Sequence, residues 1–298
     1  MNVEFIDILT SFLTSLIMFG VGLALQLRDL KEIFKRPQSI IIALTFQMIA
    51  LPVIAYFICL IAPLKPEFKL GLIILACSPG GTTSGFLSYL LKANVALSVA
   101  LTAINSLLCL ISIPIIVSFG LKSFMSLSTK VDLPIISTIT QIFFIIIIPT
   151  FIGIALRQYK KVFAIRIEKI VKIVMVVLLL GLFIIKFFAG EKYGGSIITK
   201  NEYALIFPYA ILFNVICLLM GYFFIKLFKF DHKTGLTTSI ETSVHNTPLA
   251  LLIAGTILGN QEMVKPILIY TIFSFWTPIM FGLVTNRLVN RAPQNKSR

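Results

Sequence analysis

Runs of about 20 apolar residues recur along almost the whole of this chain, and each is long enough to cross the roughly 30 Å of hydrocarbon in a bilayer as a helix. Nine such stretches can be marked, at about 7–26, 38–62, 68–91, 95–120, 133–157, 167–188, 203–227, 234–258 and 264–288. With 58% hydrophobic and 13% charged residues among 298, the composition lies outside the range of ordinary soluble domains. The connections are short, so no separate soluble domain fits between the runs. The chain is therefore predicted to be an all-α polytopic membrane protein, one transmembrane domain over residues 1–298, with the lipid bilayer as its solvent. The opening segment carries Glu4 and Asp7 rather than a basic start, so it is expected to be the first span and not a cleaved signal peptide.

A net charge of +14 invites a nucleic-acid reading, but the spacing of the basic residues argues against one. With the N-terminus outside, 18 of the 26 fall on the inner side: Arg28, Lys31, Lys35, Arg36, Lys92, Arg157, Lys160, Lys161, Arg166, Lys169, Lys172, Lys226, Lys229, Lys233, Arg287, Arg291, Lys296 and Arg298. The outer side keeps Lys65, Lys69, Lys122, Lys130, Lys186, Lys192, Lys200 and Lys265. That asymmetry follows the positive-inside rule and predicts an inner (plasma) membrane protein with its C-terminus in the cytoplasm. Cys59, Cys77, Cys109 and Cys217 lie singly inside apolar runs, which suits small buried side chains rather than a disulfide framework or a zinc site.

Glu241 is the one acidic residue deep inside a long apolar run, within the polar segment from Thr237 to Pro248. A carboxylate at bilayer depth costs about 3 kcal/mol even on the lenient insertion scale, so its retention points to something that binds it. No Lys or Arg lies at midspan to pair with it, which leaves a mobile cation as the counter-charge. Repetition points the same way. Phe46-Gln47-Met48-Ile49 resembles Phe213-Asn214-Val215-Ile216 at an offset of 167, and the same offset lays Pro79-Gly80-Gly81-Thr82 over Asn246-Thr247-Pro248-Leu249. Five spans separate the copies, so they enter the membrane in opposite senses, the inverted-repeat plan of many secondary transporters. Both copies carry a helix breaker at midspan, and backbone groups freed there must line a cavity or hold a ligand.

Oxygen-bearing side chains collect around the two breaks. Thr82, Thr83, Ser84 and Ser88 follow Pro79, and Asn94, Ser98 and Thr102 share one helical face. With Gln47, Glu241, Thr242 and Asn246 they offer neutral oxygens and a single carboxylate, a donor set that fits Na⁺ better than a transition metal. Plainer readings stand beside this one: Thr83 and Ser88 suit back-bonding to their own helix, Asn94 suits a helix cap, and Phe273–Trp276 suits packing or interface anchoring.

The run from Cys77 to Ser84, the segment Asn94–Thr102, Ser239-Ile240-Glu241-Thr242 with Asn246, and Met18–Leu23 leading to Asp29 together resemble the bile acid/sodium symporter family. The resemblance covers essentially the whole chain. It implies two broken helices crossing near the midplane of a core domain (about 38–62, 68–91, 95–120, 203–227, 234–258 and 264–288) beside a panel domain (about 7–26, 133–157 and 167–188). The chain opens at what corresponds to the family's second helix, which implies the nine-span form. By position, one sodium site would use Ser84, Ser98, Thr102 and Glu241; the other would use Gln47, Glu241, the backbone of Thr242 and Val244, and the side chain of His245. Family members usually have Asn where this chain has Gly85 and Gln where it has His245, so each site is altered and the ion stoichiometry stays open.

The resulting expectation is a sodium-coupled symporter of a small organic anion working by alternating access, with Na⁺ as coupling ion and no cofactor. Thr82, Gly81, Asn246 and Pro248 are the expected substrate contacts. A proton-coupled or uncoupled organic-anion carrier using His245 is the alternative. An intramembrane enzyme lacks a serine held against the imidazole, and a channel or sensor lacks a charged pore ring or signalling domain.

Overall fold

Polar backbone groups facing hydrocarbon must be satisfied within their own segment, and the described residues of this chain meet that demand with helices. A computed structural model describes residues 3–24, 37–125, 137, 140, 141, 143–188 and 195–291, and among them there is no β-strand. In order they form α1 (Val3–Ala24), α2 (Pro37–Thr45), α3 (Leu51–Ile61), α4 (Pro66–Cys77), α5 (Thr82–Leu90), α6 (Val95–Met125), α7 (Ile148–Tyr159), α8 (Lys161–Phe188), α9 (Lys200–Leu227), α10 (His232–Ser243), α11 (Thr247–Leu251), α12 (Gln261–Ser274) and α13 (Trp276–Arg291). Asp29 and the basic residues Arg28, Lys31, Lys35, Arg36, Lys130, Lys192, Lys296 and Arg298 lie outside the described residues, as do the side chains of Glu4, Thr82 and Arg291.

Five helical stretches among the described residues are long and apolar enough to cross a membrane: Phe5–Ala24, Pro37–Ile61, Lys161–Phe188, Lys200–Leu227 and Gln261–Val289. A sixth is added if Val95–Cys109 and Ile111–Met125, bent by 60°, count as one. Nine runs were expected, and the difference has a physical cause. The runs at about 68–91 and 234–258 are each split, into α4 and α5 of 12 and 9 residues and into α10 of 12 residues and the helical segment Thr247–Ile257, in which α11 runs on into a π-turn, and no half spans 30 Å alone. The start of the run at 133–157 lies outside the described residues; its described helical part is Phe143–Tyr159.

Prolines shape the long helices. The bend in α6 falls at residue 110, four residues before Pro114, whose ring crowds that carbonyl and whose nitrogen cannot bond to it. Wide π-turns at Phe46–Ala50 and Phe143–Ile147 each contain the residue four before a proline, Pro52 and Pro149.

α1, α7 and α8 pack on one another, with α1 and α7 in very close approach. A Cβ on Gly22 would collide with the Thr150 carbonyl and one on Gly153 with the Phe19 carbonyl, so small residues set that contact. Outward faces remain apolar: Ile170, Ile173 and Val177 of α8 are 57%, 66% and 62% exposed, a surface that suits lipid and not water. The four cysteines are buried and free.

Two of the lysines expected on the outer side are enclosed by protein. Lys186 donates to Gln261 Oε1 at 3.3 Å, close to where Asp7 of α1 accepts from the Thr256 hydroxyl at 2.9 Å. Lys265 donates to Glu202 Oε1 at 2.8 Å and pairs with Glu262, while Glu202 also closes a capping box with Thr199 at the start of α9. Lys265→Met is expected to cost about 3 kcal/mol by leaving Glu202 without its main counter-charge. The apparent Tm of the solubilised protein should fall accordingly, and an unchanged Tm would mean that water already screens the pair.

Candidate functional site

The two breaks meet. α4 ends at Cys77 and α10 at Ser243, and the extended residues that follow run antiparallel past each other, with Gly80 bridged to His245 and the Asn246 amide donating to the Pro79 carbonyl at 2.8 Å. This short two-chain ladder satisfies backbone groups that a proline and two glycines have withdrawn from helical bonding. Beyond it, Asn246 caps α11 by accepting from the Leu249 amide at 3.1 Å, while its Nδ2 is buried without a partner in the protein. Gly81 stands at the N-cap of α5 with no side chain to bond the first-turn amides, and Thr82 opens that helix. Pro248 lies in the first turn of α11.

Glu241 lies two residues before the second break and is wholly buried. The Ser98 hydroxyl donates to its Oε1 and the Thr102 hydroxyl to its Oε2, the latter at 3.0 Å. Both donors stand one turn apart on α6, as the i, i+4 spacing predicts. Ser84 Oγ lies 3.5 Å from the Thr102 hydroxyl and donates to the Gly81 carbonyl at 2.7 Å, so the start of α5 closes one side of the group. Gly80 closes another: a Cβ there would overlap the carboxylate. Gln47, in the π-turn after α2, donates Nε2 to the backbone carbonyl of Glu241 at 2.9 Å. Among the described residues no Lys, Arg or His forms an ion pair with Glu241. No three His, Cys, Asp or Glu side chains converge among them either, so the oxygen set here is one carboxylate surrounded by neutral groups.

Ser84, Ser98, Thr102, Gln47 and Glu241 thus come together, and His245 sits across the break from them. Its Nδ1 is 3.3 Å from the Ser78 carbonyl, which can only accept, so Nδ1 carries the proton. Nε2 is buried without a partner in the protein, and the ring stacks on Phe213 at 5.7 Å. The Thr242 hydroxyl is not directed to the carboxylate; it lies 2.9 Å from the Thr238 carbonyl of its own helix and 3.0 Å from the Cys217 carbonyl of α9, close against Gly221. Asn94 is a cap, accepting from the Leu97 amide at 3.0 Å. Ser88 corrects an expectation, since its buried hydroxyl does not bond back to its own helix.

Three residues belong here that sequence reasoning missed. Asn105 donates to Gln47 Oε1 at 3.4 Å and sits three residues past Thr102, where continuing the polar stripe would have found it. Asn214 and Tyr270 both reach the Ser243 carbonyl. The internal repeat matches Asn214 to Gln47 but marks neither partner of that carbonyl.

The Sodium Bile acid symporter family model matches residues 11–195. An uncharacterised sodium-dependent transporter, YocS, of Bacillus subtilis (strain 168) is 30% identical over 90% of this chain and 78% of its own length. The probable chloroplastic sodium/metabolite cotransporter BASS1 of Arabidopsis thaliana is 27% identical over 84% of this chain and 59% of its own, so the chain spans under two thirds of that relative. The hepatic sodium/bile acid cotransporter of Homo sapiens is 24% identical over 90% and 76%. The chain belongs to the sodium bile acid symporter family, a family of sodium-coupled membrane transporters and not of enzymes.

Proposed function

We propose that this protein is a secondary active symporter that couples inward movement of Na⁺ to uptake of a small organic anion by alternating access. The observation that carries the reading is the Glu241 carboxylate: wholly buried, bonded by the hydroxyls of Ser98 and Thr102, and without a basic partner among the described residues. A cation entering between these oxygens neutralises a charge that is otherwise costly at that depth. Ser84, Ser98, Thr102 and Glu241 form the first ion site. Where a second ion binds, Gln47, Glu241, the backbone carbonyls of Thr242 and Val244, and the side chain of His245 supply its ligands. Nine crossings arranged as an inverted repeat, with α1, α7 and α8 as the panel and the remainder as the core, bring both sites to the meeting of the broken helices. The N-terminus is outside, the C-terminus inside, and the membrane is the inner (plasma) membrane.

The anion is received at the same crossing. The uncapped amides at Gly81 and Thr82 begin a half-helix, and the Asn246 Nδ2 is a buried donor with no partner in the protein. Pro248 completes that wall. Donors of this kind suit a carboxylate in the absence of a lysine or arginine. Relatives named for bile acids and for metabolites are alike named as sodium cotransporters, which supports the ion more firmly than any one substrate.

Purified protein screened by thermal shift against a panel of organic acids, in NaCl and in KCl, tests the reading. Stabilisation by an acid only in NaCl is expected; acid-dependent stabilisation identical in both salts would refute sodium coupling. In the same assay Ser98→Ala and Thr102→Val should each weaken Na⁺ by about tenfold, because each removes one neutral oxygen from the proposed ligands of the ion.

A further inference from the structure

Resting on the sodium reading above, we infer that Asn214 and Tyr270 are positioning residues for the ion site, gripping the broken end of α10 from the side opposite Gln47 and so setting its affinity and selectivity for Na⁺. Ser243 is the last residue of α10, and its carbonyl is one of those a helix end leaves without an intrahelical donor. Two side chains from different helices supply what the chain cannot. Tyr270 of α12 donates its hydroxyl to the Ser243 oxygen at 2.7 Å, and Asn214 of α9 donates Nδ2 to the same oxygen at 3.0 Å. Asn214 Nδ2 also lies 2.8 Å from the Tyr270 hydroxyl, so the three groups close a triangle, and all three residues are wholly buried.

On the other side Gln47 donates to the Glu241 carbonyl at 2.9 Å. Carbonyls two residues apart on a helix are turned by about 200°, so the two amides approach α10 from nearly opposite directions. Gln47 and Asn214 are the residues that the internal repeat superimposes at its offset of 167. An exact two-fold would send each amide to the other repeat's broken helix, yet here both grip the same one, residues 241–243, which carries the carboxylate and the intervening Thr242 carbonyl. Neither Asn214 nor Tyr270 is bonded to the carboxylate; they act through the backbone between. A clamp from two sides fixes the spacing of those oxygens, and the rigidity of an oxygen cage is what separates alkali ions of different radius. The Tyr270 ring also packs against His245 and Phe213, so its hydroxyl can be removed without removing the wall.

The test uses the purified full chain and Na⁺ itself as probe, with NaCl titrated against choline chloride at constant ionic strength and the midpoint of ion-induced thermal stabilisation recorded. Tyr270→Phe and Asn214→Leu should each raise the sodium midpoint by about tenfold. Each should also narrow the preference for Na⁺ over Li⁺, which loss of fold stability alone would not do. If Asn214→Leu fails to fold, Tyr270→Phe alone decides the matter. Wild-type sodium dependence with both midpoint and Li⁺ ratio unchanged in the foldable variants overturns the clamp and leaves the transport reading standing. A wild type indifferent to sodium overturns both.

Discussion

Glu241→Gln is expected to abolish sodium-driven uptake while making the sodium-free protein more stable than the wild type. The two effects have one cause. Glutamine keeps the size of the side chain and can still meet the hydroxyls of Ser98 and Thr102, which rotate to donate or accept. It removes the charge. Without sodium the wild type bears the cost of a wholly buried carboxylate with no basic partner among the described residues, and the variant does not. With sodium the balance reverses, because a cation held by neutral oxygens alone in a poorly polarisable site loses at least about 3 kcal/mol, or more than about 100-fold in affinity. Melting curves in sodium and in choline should therefore cross between the two proteins. Parallel curves, with the same sodium-induced gain in both, would remove Glu241 from the ion site.

Gly80→Ala should be nearly as damaging although it adds one methyl group. The requirement is steric and not conformational, since Gly259 is the glycine with positive φ among the described residues. A Cβ at Gly80 would overlap the Glu241 carboxylate and lie 3.1 Å from Ser84 Oγ, so the carboxylate or the crossing backbone has to move. Overpacking of this kind costs about 1–3 kcal/mol, and here the displaced atoms are the proposed ligands, so sodium affinity should drop by about 100-fold. Gly85→Ala is the contrast: its Cβ would stand 3.9 Å from Val99 Cγ2 and 4.0 Å from Ser98 Oγ, ordinary contacts. Equal sodium midpoints for Gly80→Ala and the wild type would show that the carboxylate has room the geometry denies it.

Much of this site was legible because local rules govern it. Apolar run length marks the spans, and Pro79 and Pro248 mark the breaks by chemistry that holds in any context. The i, i+4 spacing of Ser98 and Thr102 put both hydroxyls on one face, where they meet Glu241. What escaped was set by how helices pack. Nothing near Tyr270 in sequence says that its hydroxyl ends on Ser243, and nothing near Ser239 says that its hydroxyl is taken up by the Leu218 carbonyl of α9. Lys186 and Lys265 read as boundary lysines because they stand near helix ends, yet neighbouring helices enclose them. The π-turns next to Pro52 and Pro149 follow from a missing donor four residues on, but whether a helix answers with a wide turn or a bend, as α6 does, depends on its neighbours.

The proposed sodium ion neutralises Glu241 where the two interrupted helices meet. Equilibrium binding of radiolabelled sodium to the purified protein addresses it with no need to know the transported anion. Saturable binding displaced by unlabelled NaCl but not by KCl, and absent from Glu241→Gln, is the predicted result; a Glu241→Gln protein that binds sodium as tightly as the wild type would contradict it.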